Sequence, residues 1–128
     1  MAILYFIETE NGATQVSTDD TKKFGIPVTK IFEQLCLQEL TTLKGRIDAV
    51  KKLFDYKYNV PVFVNSDLLF FKVRDEKIYW INFVQISSII KTKIGTDFAF
   101  KDGTLLKTKA NYRSSLNAYK KTLKIYDC

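Results

Sequence analysis

The sequence predicts an α+β fold: an antiparallel β-sheet with two helices from the first half of the chain and one C-terminal helix packed on it. Short runs of β-branched and aromatic residues, separated by turn signals, predict the strands. Residues 27–54 and 113–126 instead have apolar side chains at helical spacing. The length of 128 residues, 46% of them hydrophobic, suits a single domain over residues 1–128.

The amino-terminal segment predicts a β-hairpin. Residues 3–8 and 14–18 are typical of strands, and Asn11-Gly12 lies between them. Asn-Gly favours a type I′ turn, in which both central residues have positive φ. We expect residues 18–21 and the region of Gly25 to form a loop.

Two helices are predicted next. The first runs from about 27 to 39 and begins at Pro27, because proline is favoured in the first helical turn. The second follows Thr41-Thr42, which is a plausible break and N-cap. Its apolar stripe is formed by Leu43, Ile47, Val50 and Phe54.

The rest of the chain predicts strands followed by the last helix. Residues 83–90 are apolar and fit either a strand or a short helix. Further along the chain, Asp102-Gly103 predicts a hairpin turn. The predicted strands are 60–64, 68–73, 78–81, 96–100 and 104–109. In the helix from Arg113 to Tyr126, one face has Leu116, Tyr119, Leu123 and Tyr126, and the other has Asn117, Lys120, Lys121 and Lys124.

The composition excludes most catalytic chemistry. There is no His, so a Ser-His-Asp triad, an HExxH zinc site and an imidazole proton shuttle are all impossible. Cys36 and Cys128 are too few for a zinc knuckle or a disulfide framework, and Cys36 is expected to be a small buried hydrophobe. The glycines are isolated rather than grouped in a phosphate-binding loop. We therefore expect that the protein is not an enzyme and that it has no catalytic residue, metal site or cofactor.

The charge is distributed unevenly along the chain. Residues 1–40 have three basic and six acidic side chains, a net −3, whereas residues 41–128 have seventeen and eight, a net +9. A basic rear half favours a polyanionic partner. No apolar run is long enough to span a bilayer, and the amino terminus lacks the basic start of a secretory signal. We therefore expect a cytoplasmic protein with no membrane partner.

The basic residues form three groups along the sequence. Lysines near phosphates give salt-sensitive affinity without sequence preference, and arginine is the better reader of base edges and narrow minor grooves. Solvent-facing charge is the alternative interpretation for most of these lysines. The groups are Lys44, Arg46, Lys51 and Lys52; then Lys91 and Lys93; then Lys101, Lys107, Lys109, Arg113, Lys120, Lys121 and Lys124.

Short motifs within these regions resemble the ComK family, the competence transcription factors of Gram-positive bacteria. The resemblance covers about residues 28–124, and the shared order and spacing of the motifs make it specific. The motifs are Ile31 to Cys36, Lys44-Gly45-Arg46, Pro61 to Asn65, Trp80-Ile81, Phe98 to Gly103, Tyr112 to Asn117, and Lys121-Thr122.

The resemblance implies DNA binding as a homo-oligomer at A/T-rich boxes, mainly through the minor groove, and transcriptional activation as the result. Minor-groove proteins use Arg, Lys, Asn and Gln to sense A·T pairs and groove width. The matching positions are Arg46, Asn117, Lys120 and Lys121, with Ser114 as a phosphate or capping contact. Ser114 could instead only cap the last helix, and Asn117 could satisfy buried backbone groups. Lys44, Lys51, Lys52, Arg113 and Lys124 complete the set of DNA-binding residues that we expect.

The sequence also departs from the family. It ends before the C-terminal segment through which the family engages an adaptor–protease system, so that form of control is in doubt. Lys121 stands where the family has an arginine, and lysine is the poorer groove-inserting group. The alternative hypothesis is a phage- or plasmid-borne interaction module whose basic face binds an acidic host protein. A DNA-binding β-fold of the LytTR class is a third hypothesis.

Overall fold

A computed structural model describes residues 2–128 and contains two antiparallel sheets, three α-helices and one short 3₁₀ turn at Phe83–Gln85. The helices are α1 (Val28–Gln38), α2 (Leu43–Phe54) and α3 (Tyr112–Tyr126). The strands are β1 (Ile3–Thr9), β2 (Gly12–Ser17), β3 (Thr21–Phe24), β4 (Val62–Asn65), β5 (Leu68–Arg74), β6 (Ile78–Asn82), β7 (Ile86–Lys91), β8 (Thr96–Phe100) and β9 (Leu105–Thr108).

The predicted α+β class, with two helices in the first half and one at the C-terminus, is confirmed. The strands, however, form two sheets rather than one. Six strands pair in the order β3-β2-β1-β6-β5-β4, and three pair in the order β7-β8-β9. The division falls at the 3₁₀ turn, which separates β6 from β7. Residues 83–90 therefore contain both of the alternatives that the sequence allowed, a short helical turn and a strand.

Two predictions near the amino terminus were wrong. Strand β3 begins within the loop predicted at residues 18–21 and ends next to Gly25, and it pairs along β2 and forms one edge of the large sheet. The β1–β2 turn consists of Glu10 and Asn11, and Gly12 already pairs with Thr9 as a strand residue. Asn11 does not have a positive φ. Glycine is required at position 12 because a Cβ there would lie 1.9 Å from the Phe24 carbonyl oxygen.

The large sheet is covered on both faces. On one face, α1 packs its apolar stripe onto the sheet, and the ring of Phe32 lies 5.6 Å from Phe6 and 5.0 Å from Phe70. On the other face, the small sheet and α3 bury Phe71 and Phe98 in a second cluster. Helix α2 lies along the edge strand β4, with contacts to both clusters. Burial of these large aromatic rings is the main stabilising contribution to the fold.

Two buried polar networks fix the segments around α3. Asn82 has no exposed surface, and its side chain makes hydrogen bonds with four backbone groups from β1, the β4–β5 turn, β5 and the 3₁₀ turn. Thr96 Oγ1 donates to the Ala110 carbonyl at 2.8 Å, and Thr108 Oγ1 donates to the Thr96 carbonyl at 2.7 Å. These bonds join β8 and β9 to the residues that lead directly into α3.

Candidate nucleic-acid interface

The outer face of α3 presents a row of polar and basic side chains, which we call the α3 stripe: Arg113, Asn117, Lys120 and Lys124. Successive members are three or four residues apart, so they lie on one side of the helix. All four are exposed, and α3 contains no Asp or Glu. The stripe extends over about 16 Å at 1.5 Å per residue. It forms a positive surface that no carboxylate of its own helix neutralises.

The inner face of α3 fixes the helix to the core. Ile125 is buried, and the Tyr119 ring lies 4.9 Å from Phe83 and 6.5 Å from Phe71. The helix therefore rests on β5 and on the 3₁₀ turn. Because its inner face is packed in this way, α3 holds the α3 stripe in a defined orientation.

Asn111 is the N-cap residue of α3. Its Oδ1 accepts a hydrogen bond from the Ser114 backbone N–H at 2.9 Å. The capping role that the sequence allowed for Ser114 is therefore taken by another residue. Ser114 is exposed, and its hydroxyl makes no hydrogen bond within the described chain. Asn117 is also exposed, so it is not placed to satisfy buried backbone groups.

Lys121 is placed differently from the α3 stripe. Its Nζ donates a hydrogen bond to the Tyr58 carbonyl and lies 4.5 Å from the centre of the Tyr56 ring. The Tyr56 hydroxyl in turn donates to the Lys121 carbonyl at 3.0 Å. Burial lowers the pKa of Lys121. Lys121 thus ties α3 to the segment that follows α2, and its amine already has a partner.

The two ends of α2 differ in their distance from α3. Lys51 and Lys52 are exposed in the last turn, where cations also interact favourably with the helix dipole. The Lys121 tie joins α3 to residues just beyond this end. Lys44 lies about 12 Å further along α2, at 1.5 Å per residue from Lys52. Its Nζ is 2.7 Å from Asp48 Oδ2, and this hydrogen bond raises the pKa of Lys44.

Arg46 packs against the core instead of extending into solvent. Its guanidinium carbon lies 5.2 Å from the centre of the Phe63 ring in β4, an arrangement that allows a cation–π interaction. The residue is half-buried, and its Nε is buried with no hydrogen-bond partner in the described chain. Its backbone N–H donates to Thr42, so it is not free to bind a phosphate. The side chain of Arg46 is therefore packed on β4, unlike the exposed side chains of the α3 stripe.

A basic cleft beside the start of α3 was not identified from the sequence. It has a volume of about 650 Å³ and lies between the β7–β8 turn and the first turn of α3. Its basic lining residues are Lys91, Lys93, Lys109 and Arg113, and none of its described lining residues is acidic. The sequence shows that these positions are basic, namely Lys91, Lys93 and Lys109. Only the tertiary fold brings them next to Arg113.

The comparison with family models identifies the chain. A model described as ComK protein matches residues 1–127. The chain belongs to the ComK family. ComK proteins form a family of competence transcription factors, not of enzymes, and this membership supports a role in DNA-binding transcription regulation. No curated protein and no solved structure matches the chain.

The ComK motifs quoted above lie in different parts of the structure. Lys44-Gly45-Arg46 forms the start of α2, and the Thr42 hydroxyl caps that helix by accepting from the Gly45 N–H at 3.0 Å. Pro61 to Asn65 contains the edge strand β4, against which Arg46 packs. Tyr112 to Asn117 forms the first half of α3. The first two motifs thus support the core, whereas the last contributes three exposed residues, Arg113, Ser114 and Asn117.

Two other kinds of site are not found in the part of the chain that the structure describes. None of the helices there has the length and apolar character needed to cross a membrane. Within residues 2–128, no three His, Cys, Asp or Glu side chains are grouped so that they could hold a metal ion.

Proposed function

We propose that this ComK-family protein binds A/T-rich duplex DNA with the α3 stripe and regulates transcription in the cytoplasm as a homo-oligomer. The whole of residues 1–128 would act as one DNA-binding domain. The observation that carries the proposal is the α3 stripe, an exposed basic row on a helix without acidic residues. Binding to phosphates releases counterions from DNA, and such a row supplies the cations for it.

The length of the α3 stripe matches a short segment of duplex DNA. A length of about 16 Å corresponds to about five base pairs at 3.4 Å per base pair. Arg113 and Asn117 are residue types that distinguish A·T pairs in the minor groove, and we assign base contacts to them. Lys120, Lys124 and the free Ser114 hydroxyl would contact phosphates on either side. The packed inner face of α3 reduces the ordering cost of binding.

The remaining candidate residues take secondary roles in this proposal. Lys51 and Lys52, at the end of α2 nearest α3, would contact phosphates outside the groove. Lys44 would contribute little, because Asp48 already pairs with it. Arg46 and Lys121 would support the fold around the interface through Phe63 and Tyr58.

Fluorescence anisotropy with A/T-rich and G/C-rich duplexes tests the proposal. We expect the wild-type protein to prefer the A/T-rich duplex. Asn117→Ala should reduce that preference by about 1–3 kcal/mol, the usual cost of one mismatched base pair, which is five- to 150-fold. Asn11→Ala, in the β1–β2 turn outside the α3 stripe, is the matched control and should keep the preference. Equal and negligible binding of wild-type protein to both duplexes at low salt would refute the proposal.

A pull-down with and without nuclease treatment separates DNA binding from the alternative of an acidic host protein. Partners held through DNA should disappear after nuclease treatment. A partner that survives it and competes with duplex DNA would favour the interaction module. Sedimentation of the protein alone and with DNA tests the homo-oligomer.

A further inference from the structure

We infer that the basic cleft between the β7–β8 turn and α3 binds the DNA phosphate backbone next to the groove occupied by the α3 stripe. This inference rests on the proposed function and deepens it, because it adds a second contact element from the small sheet. The residues that we assign to the backbone contact are Lys91 and Lys93, and Arg113 joins them to the α3 stripe. Arg113 belongs to both surfaces, so the cleft and the α3 stripe are continuous.

The positive charges in the cleft come from separate elements, and three of the four have no ion-pair partner in the described chain. Lys91 is the last residue of β7, Lys93 lies in the β7–β8 turn, and Arg113 is in the first turn of α3. None of the three forms an ion pair with any residue that the structure describes. Lys109 also lines the cleft, but its Nζ lies 3.5 Å from Glu76 Oε1. We therefore assign the phosphate contact to the two unpaired lysines, Lys91 and Lys93.

The β7–β8 turn is braced in its observed conformation. The Thr92 N–H donates to the Gly95 carbonyl at 3.0 Å, and the Gly95 N–H donates to Thr92 Oγ1 at 3.0 Å. A Cβ at Gly95 would lie 2.4 Å from the Thr108 carbonyl oxygen, so the turn packs directly on the strand before α3. The cations are therefore presented on a rigid support, which lowers the entropy cost of binding.

The shape of the cleft indicates backbone contact rather than base readout. An open groove of about 650 Å³, in which three of the four basic lining residues are lysines, admits a phosphodiester chain. Lysine acts on phosphate as a point charge and does not discriminate between bases. We therefore expect the cleft to contribute affinity equally for every sequence, while the α3 stripe contributes the preference.

The double variant Lys91→Ala/Lys93→Ala tests the inference in the full chain. Each lost phosphate contact should reduce the slope of log affinity against log salt by about 0.9. The affinity ratio between 50 and 200 mM salt should therefore be about tenfold smaller than for the wild type. The preference for A/T-rich over G/C-rich duplex should stay unchanged. Both lysines are exposed, and thermal unfolding should confirm that the fold is retained.

Lys22→Ala/Lys23→Ala is the matched control. It also removes two positive charges, but from β3, at the edge of the large sheet opposite to the strands on which α3 packs. The inference is wrong if the cleft variant keeps the same slope as this control while Lys120→Ala/Lys124→Ala loses slope. In that case the proposed function still stands. If the wild-type protein binds neither duplex, both the inference and the proposed function are wrong.

Discussion

Lys120 and Lys121 are adjacent in the sequence, but the structure gives them different surroundings. Lys120 is exposed on the α3 stripe, whereas the Lys121 amine is bonded to the Tyr58 carbonyl. We expect Lys121→Met to lower the free energy of unfolding by about 1 kcal/mol, the usual contribution of one hydrogen bond. Urea unfolding measures this loss, and DNA affinity should fall less than in Lys120→Ala.

The Lys120→Ala variant is the control for this comparison and should keep the wild-type stability within about 0.5 kcal/mol. The assignment of Lys121 to the fold would be contradicted if Lys121→Met lost DNA affinity without any loss of stability. Helical periodicity cannot separate these two residues, because both lie on the polar face of the predicted helix. Only the position of Tyr56 and Tyr58, more than sixty residues earlier, distinguishes them. Arg46 is similar, since its packing on Phe63 depends on the position of β4.

At the scale of elements, the β7–β8 turn links the small sheet to α3, and Gly95 makes this possible. A methyl group there would overlap the backbone of Thr108 and Lys109. We expect Gly95→Ala to cost about 1–3 kcal/mol of stability, as overpacking usually does. It should also weaken DNA binding, because the turn would have to move away from α3. Thermal unfolding and anisotropy check both effects.

Gly25→Ala is the control for the turn, because a Cβ at Gly25 has no atom within 4 Å. It should leave both stability and binding close to the wild type. Equal behaviour of the two glycine variants would contradict the view that close packing of the β7–β8 turn matters.

The elements were predictable where a regular pattern defines them. The two apolar stripes in the first half of the sequence predict two helices. The predicted ends lie within about one residue of the observed ends of α1 and α2. Strand β3 has the polar sequence Thr-Lys-Lys-Phe, so only its pairing with β2 reveals it. The register of the first hairpin depends on the close approach of Gly12 to Phe24, which is a tertiary contact. The division into two sheets likewise depends on the 3₁₀ turn after Asn82.

At the scale of the whole molecule, the absence of His has a consequence for pH dependence. No side chain has an ordinary pKa between about 5 and 8, so stability and DNA affinity should change little between pH 6 and 8. Burial raises the pKa values of Tyr5 and Tyr79 above 10.0. The unfolded chain then loses these protons first, and stability should fall as the pH rises through 10.

Urea unfolding at several pH values measures this profile. Lys121 opposes it in part. Its pKa is lowered in the folded protein, so the folded chain releases this proton first, and stability rises as the pH passes from the lowered pKa to the ordinary one. A marked change in the unfolding midpoint or in DNA affinity between pH 6 and 8 would contradict the expectation.

The whole-molecule charge was also informative only in part. The sequence placed a net +9 in residues 41–128 and so predicted a polyanionic partner. It did not show that the charges of β7, the β7–β8 turn and α3 meet, because these residues are about twenty positions apart. Their meeting depends on the hydroxyl network that joins Thr96, Thr108 and Ala110.

The salt dependence of affinity for an A/T-rich duplex tests the central claim, DNA binding by the α3 stripe, most directly. The wild-type affinity should fall steeply and linearly on logarithmic axes between 50 and 200 mM salt. Lys120→Ala/Lys124→Ala should reduce the slope by about two, whereas Lys22→Ala/Lys23→Ala should leave it unchanged. Equal slopes for these two variants, or no salt-dependent binding by the wild-type protein, would contradict the claim.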